Sequence, residues 1–439
     1  MKKIEIVFFD IKVAMHDLIN YLNSPHLVAA FQKIFGIEPT FESKPKILDQ
    51  PVLKIKKRSP LKKNETPEDK NYVINQTSHK RTSSNPKKLV NITDHSHLIA
   101  NTLIHNRFWY YFFHLGAAMG NEIFYCLFFP FWFWNVDGAI ARKVAFLWGI
   151  FMYVGQATKD ILCMPRPASP PVVKLEERYL AEYGFPSTHA MVSAGLPISV
   201  LVLSYSRYNI DLSISIAIVV LFCSWVSCSR LYLGMHSILD VVAGVLYSIL
   251  VLLIMIPILE PIDHFILEYD FSPLVVFTIG YLLCHYYPSL RQWSTARGDT
   301  VIIIGSVIGF SIGSYLNNKL GFLQKPDEPP LYDIHFPNAF GYFLGVLRTI
   351  MGLVLVLCTR QLFKKFLLKF LCYVYKLDHL NPESKKQKKI ELPYNYMTYF
   401  AIGVNIAFTF PYLFRLLSIE RDYKLIVVSF IFLTSDVKT

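Results

Sequence analysis

Charge is scarce in this chain. Asp, Glu, Lys and Arg make up 17% of its 439 residues, where soluble proteins average about 25%. With 53% hydrophobic residues and a mean hydropathy of +0.35, that shortage excludes a disordered or collagen-like chain and argues against a single soluble domain. Disulfide chemistry is lacking as well. The seven cysteines are odd in number, lie mostly inside apolar runs and form no C-x-x-C pair, which excludes a disulfide framework and a thiolate zinc site. They read as small buried hydrophobes. No signal-peptide core with a cleavage site stands out. Residues 1–36 are broken by Lys2, Lys3, Glu5, Asp10, Lys12 and Asp17, and predict an amphipathic surface helix around 9–36. No internal repeat of fixed period is present.

Apolar residues come instead in blocks of about 20, the length that spans a bilayer core at 1.5 Å per residue. The blocks fall near 108–134, 143–162, 190–206, 211–229, 238–258, 272–288, 300–316, 340–358 and 396–416, with an ambiguous apolar end at 424–434. Aromatics crowd both ends of the first (Phe108 to Tyr111, Phe131 to Trp134), as aromatic belts do. The stretch 362–375 is cationic and amphipathic, and predicts an interfacial helix. The fold class is therefore all-α: a polytopic transmembrane helical bundle of about 8–10 spans. Its divisions are an N-terminal segment and tail over 1–104, a core over 105–260 and additional transmembrane helices over 261–439.

Residues 41–91 hold 13 Lys and Arg against 5 Asp and Glu, so most of the net +12 sits in one Pro-, Ser-, Asn- and Lys-rich stretch. Nucleic-acid binding is thereby a weak explanation of the basic charge, and none is expected. The stretch predicts a solvated, disordered tail, with attraction to anionic headgroups as the sharper alternative. It contains three sequons, at Asn64, Asn75 and Asn91, usable only from the lumen. It also contains Arg81-Thr-Ser-Ser, a kinase substrate only from the cytosol.

Polar and ionisable residues inside a span are costly, at about 2.5–3.5 kcal/mol for Lys or Arg at mid-helix. Here they gather at three span ends: Lys159 to Pro167, Phe185 to Ala190, and Ser229 to Asp240. The second span exits where the third enters, and the fourth exits on that same side, so all three clusters face one compartment. Lys159, Arg166 and Arg230 are equipped for phosphate oxygens, each worth about 4 kcal/mol at 4 Å in an effective dielectric near 20. Ser187 and Thr188 are natural N-caps of the third span, whose free N–H groups suit an anion. His236 and Asp240 are four apart, on one helical face. The carboxylate can fix one ring nitrogen as a donor and leave the other to attack. His189, from another helix, can protonate a departing oxygen. No group of several acids accompanies these histidines, so metal–carboxylate chemistry is poorly supported. Alone, each element has a plainer explanation: a snorkelling Lys or Arg, a satisfied His, a chance His-x-x-x-Asp. Arg348, Glu122 and Asn405 keep that plainer reading; together the three clusters do not.

The order K-x6-R-P (Lys159 to Pro167), P-S-T-H (Pro186 to His189) and S-R-x5-H-x3-D (Ser229 to Asp240) resembles the three-part signature of the type 2 phosphatidic acid phosphatase superfamily, matched at every signature position. The words around the motifs, "KDILCMPRPASPPVVKLEERYLAEYGFPSTHAM", "CSRLYLGMHSILDVVAG" and "LVAAFQKIFGI", resemble the sphingosine 1-phosphate phosphatases of the endoplasmic reticulum membrane. The resemblance implies a type 2 phosphatidic acid phosphatase core and a phosphomonoesterase needing no metal or other cofactor. By it, His236 attacks phosphorus, Asp240 orients it, and His189 protonates the leaving oxygen and then activates water. Lys159, Arg166, Ser187 and Arg230 hold the phosphoryl oxygens. The implied substrates are membrane lipids, phosphorylated sphingoid bases such as sphingosine 1-phosphate and dihydrosphingosine 1-phosphate. A broader lipid or isoprenoid phosphate phosphatase and a non-catalytic lipid transporter or scramblase stay open. A phosphocholine transferase with a similar His/His/Asp set fits less well, because the Lys159–Arg166 motif suits the higher charge of a monoester. One tension remains. The basic tail favours a cytosolic N-terminus, and two crossings would return the motifs to that side, whereas the family is expected to work at the luminal face. Either the tail is luminal or the span count before residue 160 is off by one.

Overall fold

Helix starts in this chain are set by short polar side chains placed where an apolar run begins. In the computed structural model, which describes residues 13–39, 102–288, 295–323, 331–332, 337–378 and 381–421, Asp137 accepts hydrogen bonds from the N–H groups of Ala139 (2.7 Å) and Ile140 (3.0 Å). Asp211 accepts from Ile214 N, and Ser237 from Asp240 N. These caps satisfy donors that would otherwise point unpaired out of a helix end.

After a helical stretch over 13–22 come α1 (Pro25–Ile34) and an antiparallel ladder of β1 (Ile37–Pro39) with β2 (Thr102–Ile104). Then follow α2 (Arg107–Ala118), α3 (Glu122–Asn135), α4 (Gly138–Leu162), α5 (Thr188–Tyr205), α6 (Leu212–Tyr232) and α7 (Ile238–Glu268). The chain continues through α8 (Ser272–His285), α9 (Thr295–Lys319), α10 (Ala339–Val374), the short α11 (Pro382–Lys386) and α12 (Lys388–Val404). A π-helical segment over Asn405–Thr409 joins α12 to α13 (Phe410–Leu416). Two-thirds of the apolar windows of α5 and α9 are buried, against 17% for α10, so α5 and α9 are central and α10 is peripheral. One apolar cluster draws on α3, α4, α5, α7 and α9 together, with Leu147, Phe151, Val192, Leu252, Ile303 and Val307 among its members. The helices beyond 261 thus share a core with those bearing the motifs.

The all-α architecture agrees with the hydropathy pattern, and several particulars differ. Among the described residues seven helices are long and apolar enough to span, or eight with the bent pair α2–α3. The predicted first span is broken by a 59° bend at residues 119–122, where Gly120-Asn121-Glu122 interrupts the aromatic run. The block at 272–288 yields only the 14-residue α8, about 21 Å long and short of a bilayer core of about 30 Å. The stretch 362–375 is no separate interfacial helix; it continues the 36-residue α10, because no Pro or Gly stops the helix after Gly352. The N-terminal segment is not one surface helix: the chain breaks at Ser24, and Val28 and Gln32 of α1 are buried. Arg348 is buried and paired, donating to Asn135 Oδ1 and Ile419 O. The basic tail with its sequons and the apolar end at 424–434 lie outside the described residues.

Helix α2 packs along the last turns of α6, with Phe112 and Gly116 against Trp225. Its start follows the β1–β2 ladder, Phe113 stacks on Tyr232 at the end of α6 (centroids 4.5 Å apart), and Asn121 beyond its far end contacts His189. From there α3 and α4 form one out-and-back excursion to Lys159.

Candidate active site

Three breaks in helical regularity build the site. Helix α4 ends at Cys163, whose positive φ of 52° turns the chain out of the helix and into Met164-Pro165-Arg166-Pro167. Ser187 caps α5, its Oγ accepting from Ala190 N (3.4 Å), while its own N–H donates to Asp240 O (3.0 Å). That bond locks the start of α5 to the start of α7. After α6, Gly234 adopts a φ of 68°, and a Cβ there would stand 2.2 Å from Val173 O, so only glycine lets this turn lie against the 172–175 loop. Ser237 and Asp240 then form a reciprocal capping box at the start of α7.

The result is a cleft whose lining includes Lys159, Arg166, Arg230, His189, His236 and Glu182, together with Tyr179, Thr188 and Gly120. Arg166 is pinned by two carbonyls, Glu182 O to its Nε (2.9 Å) and Met235 O to its Nη1 (2.7 Å). Nη1 also lies 3.2 Å from His236 Nε2. A guanidinium only donates, so His236 Nε2 presents a lone pair and Nδ1 carries the hydrogen. Nδ1 faces Asp240 Oδ2 at 3.6 Å, beyond a normal hydrogen bond, because that oxygen already accepts from Ser237 N (2.8 Å). Arg230 donates one terminal nitrogen to Glu176 (2.7 Å), while its Nε and Nη2 are buried without a protein partner. Orphaned guanidinium donors in a cationic cleft fit an anion.

His189 enters from the other side. Its Nε2 lies 3.1 Å from Asn121 Oδ1, which also accepts from Tyr179 OH (3.3 Å). Tyr179 meets the imidazole edge-on, with centroids 5.7 Å apart. Gly120 passes so close that a Cβ there would fall 2.2 Å from the His189 ring.

Burial, followed by the charges of Arg166, Arg230 and Lys159, holds His236 well below the ordinary imidazole value of 6.5. Burial and the neighbouring Arg230 lower Arg166 to about 10. Burial alone would raise the Glu182 carboxyl, but Lys159 and Arg166 outweigh it and hold the group below its usual range.

The structure brings together Lys159, Arg166, Arg230, His189 and His236 from the sequence expectation. Asp240 stands behind His236. Ser187 is fully buried with its Oγ used as a cap, and its neighbour Thr188 reaches the cleft, where it accepts from Lys159 Nζ (3.2 Å). Among the described residues no three His, Cys, Asp or Glu side chains stand together as metal ligands. Sequence reasoning missed Glu182, Glu176, Asn121 and Gln32. Three buried cations require counter-ions, a signal that could have directed attention to the acids between the first two motifs. Gln32, 1% exposed, donates from Nε2 to Val173 O (2.6 Å) and Tyr232 O (2.9 Å) and accepts from Val173 N (3.0 Å). It clasps the loop after Arg166 to the turn before His236.

A family model described as the PAP2 superfamily matches residues 140–262, the stretch carrying all three motifs. Mouse sphingosine-1-phosphate phosphatase 1 is 41% identical over 71% of this chain and 73% of its own length. The chain belongs to this PAP2 family of phosphatases. Human sphingosine-1-phosphate phosphatase 2 is 36% identical over 72% of this chain and 80% of its own. A dihydrosphingosine 1-phosphate phosphatase of Schizosaccharomyces pombe is 26% identical over 64% and 68%. No solved structure matches the chain. As a PAP2 phosphatase it is a multi-pass membrane protein. Gln32, which holds the loops around the site, Asn121, which contacts His189, and Thr295, which donates to Glu182, lie outside the stretch matched by the PAP2 model.

Proposed function

We propose that this chain hydrolyses phosphorylated sphingoid bases, sphingosine 1-phosphate and dihydrosphingosine 1-phosphate, to the free base and inorganic phosphate. The substrate class follows from the names of its PAP2 relatives, and a cleft among apolar helices suits an amphiphile whose tail stays in the bilayer. The resemblance of the motif words supports the endoplasmic reticulum membrane as its place.

The observation that carries the chemistry is the contact of Arg166 with His236 Nε2, which marks that nitrogen as unprotonated inside a ring of cations. In the first step Nε2 attacks phosphorus and the bond from phosphorus to the ester oxygen breaks. His189 gives that oxygen its proton, and Lys159, Arg166 and Arg230 carry the phosphoryl charge. Asp240 supports the positive charge that grows on the His236 ring. In the second step water attacks phosphorus, His189 takes its proton, and the phosphorus–nitrogen bond breaks to release phosphate. Ser187 contributes by capping the start of α5, which holds Thr188 and His189 at the cleft.

The test is phosphate release by purified protein across phosphorylated sphingoid bases, lysophosphatidate, phosphatidate and isoprenoid phosphates, with a chelator present. Turnover is expected to favour the sphingoid bases, to survive the chelator and to vanish in His236→Ala. Undiminished turnover in that variant would remove the phosphohistidine route, and a non-catalytic transporter would show no turnover at all.

A further inference from the structure

Glu182 is an unexpected occupant of a phosphate cleft. It is the one carboxylate among the described residues that line it, it is 7% exposed, and it stands where a bound phosphate would repel it. Its Oε2 accepts from Lys159 Nζ at 3.3 Å and its Oε1 from Thr295 Oγ1 at 2.9 Å. An ionised carboxylate offers about four lone-pair sites, so capacity remains. Glu176, the nearby second acid, is committed to Arg230 and stands outside the cleft lining.

A carboxylate one hydrogen bond away from a phosphate-holding ammonium lies within reach of a group on the carbon next to the ester carbon. We propose that Glu182 receives a substrate ammonium carried one carbon from the phosphate-bearing carbon, making it the specificity determinant for amine-bearing lipid phosphates. This rests on the functional reading above. On binding, Lys159 turns from Glu182 to the phosphoryl oxygens and the substrate ammonium takes its place. Glu182 keeps a cation and the phosphate gains one. A lipid phosphate that carries a hydroxyl in place of the amine leaves Glu182 facing the anion, so selection works by repulsion as well as attraction.

The test compares kcat/KM for sphingosine 1-phosphate and for lysophosphatidate on the purified full chain, as wild type, Glu182→Gln and Glu182→Asp. The Gln variant is expected to lower the ratio of the two by about tenfold or more, the value of a charge-assisted hydrogen bond, and Asp is expected to restore part of it. Equal losses on both substrates would overturn the proposal and leave Glu182 as a counter-ion of Lys159 alone. A wild type that turns over neither substrate, or favours lysophosphatidate, would overturn the functional reading and this one with it. A wild-type preference that survives unchanged in Glu182→Gln would overturn this one only. Should that variant lose all turnover, its affinity for phosphonate analogues with and without the amine decides: selective weakening of the amine-bearing analogue supports the role, and equal weakening refutes it.

Discussion

Replacing Gln32 by leucine removes three hydrogen bonds at once while nearly preserving volume. The side chain is 1% exposed, so water has no path to the Val173 and Tyr232 backbone groups it serves. Each net hydrogen bond is worth about 1 kcal/mol, and more when a buried partner is left unsatisfied. The loss is therefore about 3 kcal/mol or above, a large share of a domain stability of about 5–15 kcal/mol. The segments released carry Arg166 and Glu176 on one side and, at the end of α6 and the turn after it, Arg230 and His236 on the other, so turnover should fall even where the variant remains folded. The assay is denaturant unfolding of the purified protein in detergent, with kcat measured far below the transition. Gln32→Glu separates bonding from volume, since it sets an acceptor against two carbonyls and should be no more stable than Gln32→Leu. Wild-type unfolding and wild-type kcat in Gln32→Leu would refute the idea that α1 organises the site.

Gly120→Ala places a methyl group 2.2 Å from the His189 ring; the ring must shift, and kcat should fall by about 100-fold with unfolding little changed, whereas near wild-type turnover would show that the position of His189 is not critical. Because the His236 pKa is depressed, its neutral form persists below pH 6.5; kcat/KM, once corrected for ionisation of the substrate phosphate, should hold on the acid side past the ordinary imidazole range and then fall. An acid limb centred at or above 6.5, or a flat profile, would contradict the paired-imidazole assignment. At the far end of the bundle Arg142 holds Asp263 through two bonds of 2.6 and 2.7 Å; Arg142→Met should cost about 3–5 kcal/mol by stranding a buried carboxylate, and adding Asp263→Leu should recover much of it in the same unfolding measurement. Equal costs for the single and double variants would show that the stranded charge is not the cause.

The motif residues were legible because they interrupt apolar runs. Lys159, Arg166, His189, Arg230 and His236 each break a pattern that hydropathy alone would continue, and alternating span directions bring them to one end. What escaped lies where meaning depends on distant contact. Glu182 and Glu176 look like solvated loop acids until three buried cations are seen beside them. Asn121 sits in a polar trio inside a run that reads as one span, and only the bend reveals that its amide meets His189. Gln32 lies more than a hundred residues from its partners, in a segment whose alternation of charge and apolar residues suggests a surface. Helix lengths also misled where hydropathy falls without a helix-breaking residue, as in α10. Ser187 shows the reverse: its motif position is right, yet its hydroxyl is spent on holding the helix start.

The short pairing of Ile37–Pro39 with Thr102–Ile104 has a practical corollary for the stretch between them. Its two feet are stapled side by side, one continuing from the Gln32 helix and the other leading into the helix that carries Phe113. Sugar found on Asn64, Asn75 or Asn91 would place that stretch in the lumen, and phosphate found on the Arg81-Thr-Ser-Ser segment would place it in the cytosol.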